Sequence, residues 1–264
     1  MSDWKALAGR ITLFAGSPPS GPSLTALDLF QKVWSGNPDA FQSSPNPLVP
    51  SFARGKRRDL TVGCVVQPTR IDFNINPPPP PTLPAESLIP FIQIEDTSQL
   101  HAALEQVIKS INELNVTNSI NRVGLFLHFL RLAPGIEAAN KTLVSVMPNQ
   151  YGARITTEED FIFQINRPHV SNSVREIKIN CVVKWNVDRF QVFNVAIAMN
   201  APVVDSRTLP SQPGQEYIAA SVVFDINNVI TRALDASEQT SLLAEGLTEA
   251  KKMQRDLGLN VEGF

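Results

Sequence analysis

The sequence predicts an α+β protein in which antiparallel sheets carry helices on one face. Stretches such as "RIDFNIN" (70–76), "DFIFQIN" (160–166) and "VVFDINN" (222–228) alternate apolar and polar residues, the pattern of a strand with one buried face. Other stretches repeat apolar residues every three or four positions, as amphipathic helices do. Several predicted strands are separated only by a turn, which favours antiparallel pairing.

The first half of the chain predicts a strand, a helix, hairpin strands and a second helix. "RITLFAG" after Gly9 is typical of a short strand, and residues 23–35 of an amphipathic helix. The proline-rich residues 37–50 predict a loop. "LTVGCVVQ" and "RIDFNIN" then predict a hairpin, and "DTSQLHAALEQVIKSINEL" predicts a long helix. Between them, Pro77 to Pro81 indicate a polyproline crossover or a docking segment for a partner.

The second half repeats this order after a polar break at 115–121. "RVGLFLHFLRL" (122–132) is apolar on both sides and predicts a central strand, which "GIEAANKTLVSVM" follows as a helix. "EIKINCVVKW", "QVFNVAIAM" and "YIAASVVFDIN" predict further strands. A last helix is predicted from Ser237 to Leu257, with Asp235 and Glu238 as its capping pair.

The repeated order indicates an internal duplication of a strand–helix–hairpin–helix unit. We place the halves at residues 1–118 and 119–264 and expect them to form one continuous globular unit.

Composition limits the classes of partner and the compartment. The chain has 264 residues and a net charge of −2, so its overall charge gives no argument for nucleic acid or an anionic membrane. Cys64 and Cys181 lie in apolar runs and are typical of buried thiols in a reducing compartment. No uncharged apolar run reaches the length of a membrane-spanning helix. We therefore expect a cytoplasmic protein without a membrane segment and without a cofactor.

One pattern favours an enzyme. Asp160 on one predicted strand and Glu176 and Lys178 on the next match the spacing of metal-dependent nucleases of the restriction-endonuclease type. Two carboxylates would hold a divalent cation, and the lysine would orient the attacking water. The same residues also suit a solvated strand face. We therefore expect no catalytic residues and keep a metal-dependent nuclease or phosphodiesterase as an alternative.

Other chemistry-bearing residues stand apart in the sequence. Asp72 and Asp225 occupy corresponding places in two strands and would form an acid/base pair if they converged, but Asp225 also suits a cap at a strand end. His101, His128 and His169 show no ligand spacing, so no metal site is predicted.

Basic residues cluster once, in "ARGKRRD". Arg54, Lys56, Arg57 and Arg58 would form the tip of a hairpin that contacts phosphates or an acidic partner surface. A solvated turn is the other interpretation. These four residues are the candidate binding site, and they make a nucleic-acid-binding module the second alternative.

The strand "INRVGLFLHFL" and the strand "VVFDIN" before the last helix resemble those of one bacterial family. It is a sporadically distributed family of uncharacterised α+β proteins of similar length, sometimes encoded near mobile-element or phage-defence genes. The similarity covers residues 98–257 and consists of hydrophobic spacing. The resemblance implies an accessory, partner-binding role and brings no catalytic residues with it.

The sequence contains no convergent set of acid, base and nucleophile. Our first expectation is therefore a non-catalytic interaction or accessory protein of a bacterial complex. It would act as a homo-oligomer or with a protein partner.

Overall fold

The structure is a computed structural model that describes residues 4–17, 25–44, 46, 48–78, 93–114, 116, 119–148, 162–192 and 215–259. In these residues ten strands form one sheet, every neighbouring pair of strands is antiparallel, and four α-helices accompany it. The predicted α+β class with antiparallel pairing is confirmed.

The strands are β1 (Lys5–Ala15), β2 (Ala40–Gln42), β3 (Ser51–Arg57), β4 (Leu60–Gln67), β5 (Arg70–Asn76), β6 (Ile120–Ala133), β7 (Ile162–Asn166), β8 (His169–Val170), β9 (Lys178–Val192) and β10 (Gln215–Asn228). The helices are α1 (Ala26–Trp34), α2 (Thr97–Ser110), α3 (Ile136–Val146) and α4 (Ala236–Asp256), and a 3-10 turn (Ile111–Glu113) follows α2.

The two halves of the chain share the sheet. Its strand order is β2-β3-β4-β5-β1-β6-β10-β9-β7, and β8 pairs with β9. The first strand of each half, β1 and β6, therefore pair in the centre, and the last strand of each half, β5 and β10, lies beside the first strand of its own half. This topology puts the first strand of each half at the middle of the sheet.

One side of the sheet, which we call the core face, carries the buried apolar residues. Ile11, Phe73, Leu125 and Phe224 stand on this side of four adjacent strands and are at most 2% exposed. Buried side chains from all four helices belong to the same continuous cluster. The close approach of α2 explains Gly9, because a Cβ there would lie 2.6 Å from Cδ1 of Leu100.

The predicted cap of the last helix and the predicted burial of both thiols are confirmed. The predicted capping pair Asp235 and Glu238 forms a capping box at the start of α4. Cys64 and Cys181 are free and buried, as expected. Burial raises the pKa of the Cys64 thiol and raises that of Cys181 to about 11, so both thiols are protonated at neutral pH.

Several boundaries differ from the prediction. Helix α1 begins at Ala26 and not at residue 23, because Thr25 caps it in a box with Asp28. The predicted loop 37–50 contains strand β2, whose three residues pair with β3 between the flanking prolines. No helix of the described residues is long and apolar enough to cross a membrane.

Candidate functional site

The other side of the sheet, which we call the polar face, carries the side chains that point away from the core face. Residues directly opposite each other in an antiparallel sheet point to the same side, so the pairing register assigns each side chain. One row on the polar face runs through Arg54, Gly63, Asn74, Arg10 and Phe126. The next row places Asp72, Thr12 and Gly124 side by side.

The polar face is basic although the whole chain carries a net charge of −2. The described strands place eight basic and three acidic side chains on it, an excess of five positive charges. The basic residues are Lys5, Arg10, Arg54, Lys56, Arg70, Arg122, Lys178 and Lys184, and the acidic ones are Asp72, Asp188 and Asp225. A surface with this imbalance attracts polyanions.

Three guanidinium groups meet two phenylalanine rings at the centre of the polar face. Cζ of Arg10 lies 5.0 Å from the ring centre of Phe126. Cζ of Arg122 lies 5.2 Å from the ring centre of Phe14, and Cζ of Arg70 lies 5.6 Å from the same ring. These are cation–π distances, and we call Arg10, Arg70 and Arg122 the arginine cluster.

The contacts across β1 and β6 are reciprocal. Arg10 stands opposite Phe126 and Phe14 opposite Arg122, while Thr12 stands opposite Gly124 midway between these pairs. An approximate two-fold axis through the Thr12–Gly124 pair therefore exchanges the two arginine–phenylalanine contacts. The sequences "RITLF" (10–14) and "RVGLF" (122–126) correspond residue by residue in this relation.

One buried carboxylate supports the cluster. Asp72 is 6% exposed and accepts a hydrogen bond of 2.6 Å from Oγ1 of Thr12. Nε of Arg70 lies 2.9 Å from its Oδ1 and 2.7 Å from its Oδ2, and Nε of Arg10 lies 3.8 Å from Oδ1. Asp72 lies on the polar side that the alternation in "RIDFNIN" predicts, but it is buried there because the arginine and threonine side chains enclose it.

Arg10 and Arg122 keep most of their hydrogen-bonding capacity. Neither donates a hydrogen bond to any described residue, and the Nε atoms of both are buried without a partner. The side chain of Arg10 is 38% exposed. Since ring contacts and not hydrogen bonds hold these guanidinium groups, their terminal N–H donors can bind an acceptor on a ligand.

The predicted basic tip is divided between the two sides of the sheet. Strand β3 continues through Arg57, and the turn to β4 consists of Arg58 and Asp59 alone. Arg54 and Lys56 are therefore strand residues exposed on the polar face, and not parts of a loop. Arg57 points to the other side, where its Nε donates to the Trp34 carbonyl oxygen over 3.2 Å. Because the turn has only two residues, Arg54, Lys56 and Arg57 stay in the strand, where successive side chains point to opposite sides of the sheet.

The predicted nuclease residues do not share a described strand. Strand β9 begins at Lys178, and Glu176 precedes it with φ 68°, so the expectation that both lie on one strand face is wrong. The left-handed conformation of Glu176 ends the turn before the strand. Asp160 lies outside the described residues. Among the described residues, no group of three His, Cys, Asp or Glu could hold a metal ion.

Asp72 and Asp225 do not converge. Asp72 lies on β5 and Asp225 on β10, with β1 and β6 between them. Asp225 is exposed and accepts a hydrogen bond of 2.9 Å from Asn227. Three strand spacings of about 4.8 Å each separate the two carboxylates, which excludes a shared proton.

His128 joins a cross-strand network on the polar face. Its Nε2 lies 2.8 Å from Oγ of Ser221 and 3.3 Å from Oδ2 of Asp188. Burial acts to raise the pKa of Asp188, but the hydrogen bonds from His128 and Ser221 outweigh it and lower the pKa. A serine–histidine–acid relay needs the two partners on different ring nitrogens. Here both contact Nε2, and Ser221 is 0% exposed, so the arrangement is structural.

The remaining histidines belong to the core side. Burial lowers the pKa of His101 to about 4, so this residue of α2 is neutral at pH 7. His169 lies between Cys181, with 3.9 Å from Nδ1 to Sγ, and Glu245, with 3.4 Å from Nε2 to Oε1. Cys181 is 4% exposed and protonated, so it is not an activated nucleophile.

Comparison of the chain with protein-family models, curated proteins and solved structures finds no match. The resemblance of residues 98–257 to a bacterial family therefore stays an interpretation of hydrophobic spacing.

The arginine cluster was not predicted from the sequence. Its signal is the pair "RITLF" and "RVGLF", in which an arginine and a phenylalanine stand four residues apart on the same side of a strand. Each copy is unremarkable alone. The chemistry arises because β1 and β6 are neighbours, which brings the arginine of each copy over the phenylalanine of the other.

Proposed function

We propose that this chain is a non-catalytic binding protein whose ligand is nucleic acid, held on the polar face of the sheet. The observation that carries the proposal is the arginine cluster, in which Arg10 and Arg122 lie on phenylalanine rings without a hydrogen-bond acceptor among the described residues. The two free thiols Cys64 and Cys181 support a reducing, cytoplasmic location.

Phosphate groups suit this surface. A guanidinium group offers planar, paired N–H donors that match phosphate oxygens, and ring stacking keeps that plane oriented. Arg54 and Lys56 extend the basic surface to β3, where Phe52 stands on the same side and is 37% exposed. Basic side chains beside an exposed aromatic ring are the elements of sequence-independent binding to single strands.

We expect the variant Arg54→Glu/Lys56→Glu to bind a labelled single-stranded oligonucleotide about tenfold more weakly at low salt. Each lost phosphate contact also lowers the slope of log affinity against log salt by about 0.7 for a single strand, so we expect a slope smaller by about 1.4. Fluorescence anisotropy measured over a salt series checks both values. Both side chains are exposed strand residues, so folding should be retained.

The matched control is Lys252→Glu/Arg255→Glu. These residues are exposed on α4 and undergo the same change of charge away from the polar face. Equal losses in both variants would mean that net charge and not the polar face governs binding. Repeating the assay with Mg²⁺ or Mn²⁺ tests the nuclease alternative, which requires cleavage that disappears in Glu176→Ala.

A second candidate function is association with another protein, including a second copy of this chain in a larger complex. It is favoured by exposed apolar residues on the outermost described strands, Phe41 on β2 (56% exposed) and Ile162 on β7 (72% exposed). Edge strands with such side chains pair with other chains unless a charge prevents it.

We expect Ile162→Lys to convert an oligomer to a monomer in size-exclusion chromatography with light scattering, because the lysine blocks pairing along β7. Ile230→Lys is the control, since Ile230 is also exposed (54%) but follows β10 and lies outside the strands. A wild-type chain that is a monomer at all concentrations would remove this candidate.

We also infer that the two halves of the chain are copies of one unit. Support comes from the strand order, which repeats around β1 and β6, and from the correspondence of "RITLF" with "RVGLF". In this interpretation the arginine cluster lies at the junction because duplication placed the same arginine–phenylalanine strand twice at the centre.

A further inference from the structure

A cavity of about 230 Å³ lies beside the turn between β3 and β4, against the end of α1 and one side of α2. Its walls are mixed. Leu60 and Val62 from β4, Ala102 and Ala103 from α2 and Trp34 from α1 form the apolar part, and Gln99 and Gln106 from α2 add polar groups. This volume is below the roughly 300–1,000 Å³ of pockets for drug-sized ligands, so a compact molecule would fit.

Two arginines of the predicted basic cluster line this cavity. Arg57 is fixed, since its Nη1 donates to the carbonyl oxygen of Lys56 over 2.8 Å and its guanidinium lies 5.1 Å from the ring centre of Phe30. Arg58 is exposed and makes no hydrogen bond or ion pair with any described residue. The cavity therefore has one oriented and one adjustable cation.

The backbone of Arg58 is in the left-handed region, with φ 52°. Two-residue hairpin turns need this conformation, and glycine or asparagine usually supplies it. An arginine there is strained, and such outliers concentrate at functional sites. The turn places this unpaired guanidinium next to the apolar wall.

We propose that this cavity binds a small carboxylate with a compact apolar body. The carboxylate would accept paired hydrogen bonds from Arg58 and the remaining terminal nitrogen of Arg57, while the body would contact Leu60, Val62 and Ala103. This site is separate from the polar face, because Arg57 and Val62 point to the core side of the sheet.

Benzoate is the probe, and benzamide is its neutral counterpart of the same shape. We expect benzoate, titrated into the full chain, to shift the amide NMR signals of Trp34, Ala102 and Ala103 in a saturable way, and benzamide to leave them in place. Arg58→Gln should weaken benzoate binding at least about tenfold, as the loss of a charge-assisted pair does. Ala102→Phe should abolish it by filling the cavity from an exposed helix position.

Arg255→Gln is the control, since Arg255 is exposed on α4 and does not line the cavity. Four results would each overturn the proposal. They are no shift with benzoate at millimolar concentration, equal binding of benzamide, unchanged binding in Arg58→Gln, and unchanged binding in Ala102→Phe. None of these results depends on whether the polar face binds nucleic acid.

Discussion

Asp72→Asn is expected to lower the stability of the fold and to raise its affinity for nucleic acid. The carboxylate is 6% exposed and accepts hydrogen bonds from Thr12 and Arg70, with Arg10 within ion-pair distance. An asparagine keeps the shape but removes the charge and turns an amide N–H₂ toward these donors. Leaving Arg70 without its partner should cost about 2–3 kcal/mol. This is less than for a fully buried pair, because the Arg70 side chain is one-third exposed and can turn to water.

The affinity should change in the opposite direction. Among the described residues, Asp72 is the carboxylate that contacts the arginine cluster. Removing its negative charge increases the positive potential at the centre of the polar face. One unit charge at a partly exposed site is worth about 1 kcal/mol, which corresponds to roughly fivefold tighter binding at low salt. Urea denaturation and fluorescence anisotropy with a labelled oligonucleotide measure the two effects.

Asp225→Asn is the control for this experiment. Asp225 is on the same face and loses the same charge, but it is exposed, so the free energy of unfolding should change by no more than about 0.5 kcal/mol. If folded Asp72→Asn binds nucleic acid no better than the wild type, the arginine cluster is not the binding surface.

The second large effect is expected from Glu245→Gln. The Glu245 carboxylate on α4 accepts hydrogen bonds of 2.6 Å from Oγ of Ser171 and 2.6 Å from Oγ of Ser173, and one of 3.0 Å from the backbone N–H of Asn172. These hydrogen bonds connect the loop before β9 to the last helix. A glutamine leaves part of this donor set without an acceptor, which should cost about 2–3 kcal/mol and lower Tm by roughly 5–10 °C.

The pH dependence follows from the same contacts. Burial acts to raise the pKa of Glu245, but the hydrogen bonds from Ser171, Ser173 and Asn172 outweigh it and lower the pKa from 4.5 to about 2. A carboxylate with a lowered folded-state pKa stabilises the fold above its unfolded pKa, and this contribution is lost as the pH falls from 4.5 toward 2. Urea denaturation at pH 7 and pH 3 should therefore show a smaller difference between wild type and variant at pH 3.

Glu249→Gln supplies the comparison, because Glu249 lies one turn further along α4 and makes no hydrogen bond with the described residues. It should change the stability little at either pH. If Glu245→Gln lowers the free energy of unfolding by the same amount at pH 7 and pH 3, the shape of the Glu245 side chain and not its charge holds the loop in place.

Local patterns were sufficient to predict the long strands and the helices, but not the short strand β2. Alternation identified "RIDFNIN" as a strand, and the pair Asp235 and Glu238 identified the start of α4 within one residue. Both signals depend on contacts between residues close in sequence, which is why a single sequence contains them. The strand face that would meet the core was predicted equally well, since Ile71, Phe73 and Ile75 are all buried.

The candidate site depends on contacts that no local pattern contains. Alternation assigned Asp72 to the polar side, but its burial comes from Thr12 and Arg10 on a strand sixty residues away in sequence. The pairing of β1 with β6 likewise joins Arg10 to Phe126 across the whole first half of the chain. Where Arg54 and Arg57 point could not be predicted without knowing that the turn is only two residues long.

The most direct test of the account is to map the binding surface for nucleic acid. A short single-stranded oligonucleotide would be titrated into the isotope-labelled chain, and the amide NMR shifts would be followed residue by residue. We predict salt-sensitive shifts centred on Arg10, Phe14 and Arg122 and extending to β3, with α1 to α4 unaffected. Shifts confined to the helices, or no shifts at low salt, would contradict the proposal that the polar face binds nucleic acid.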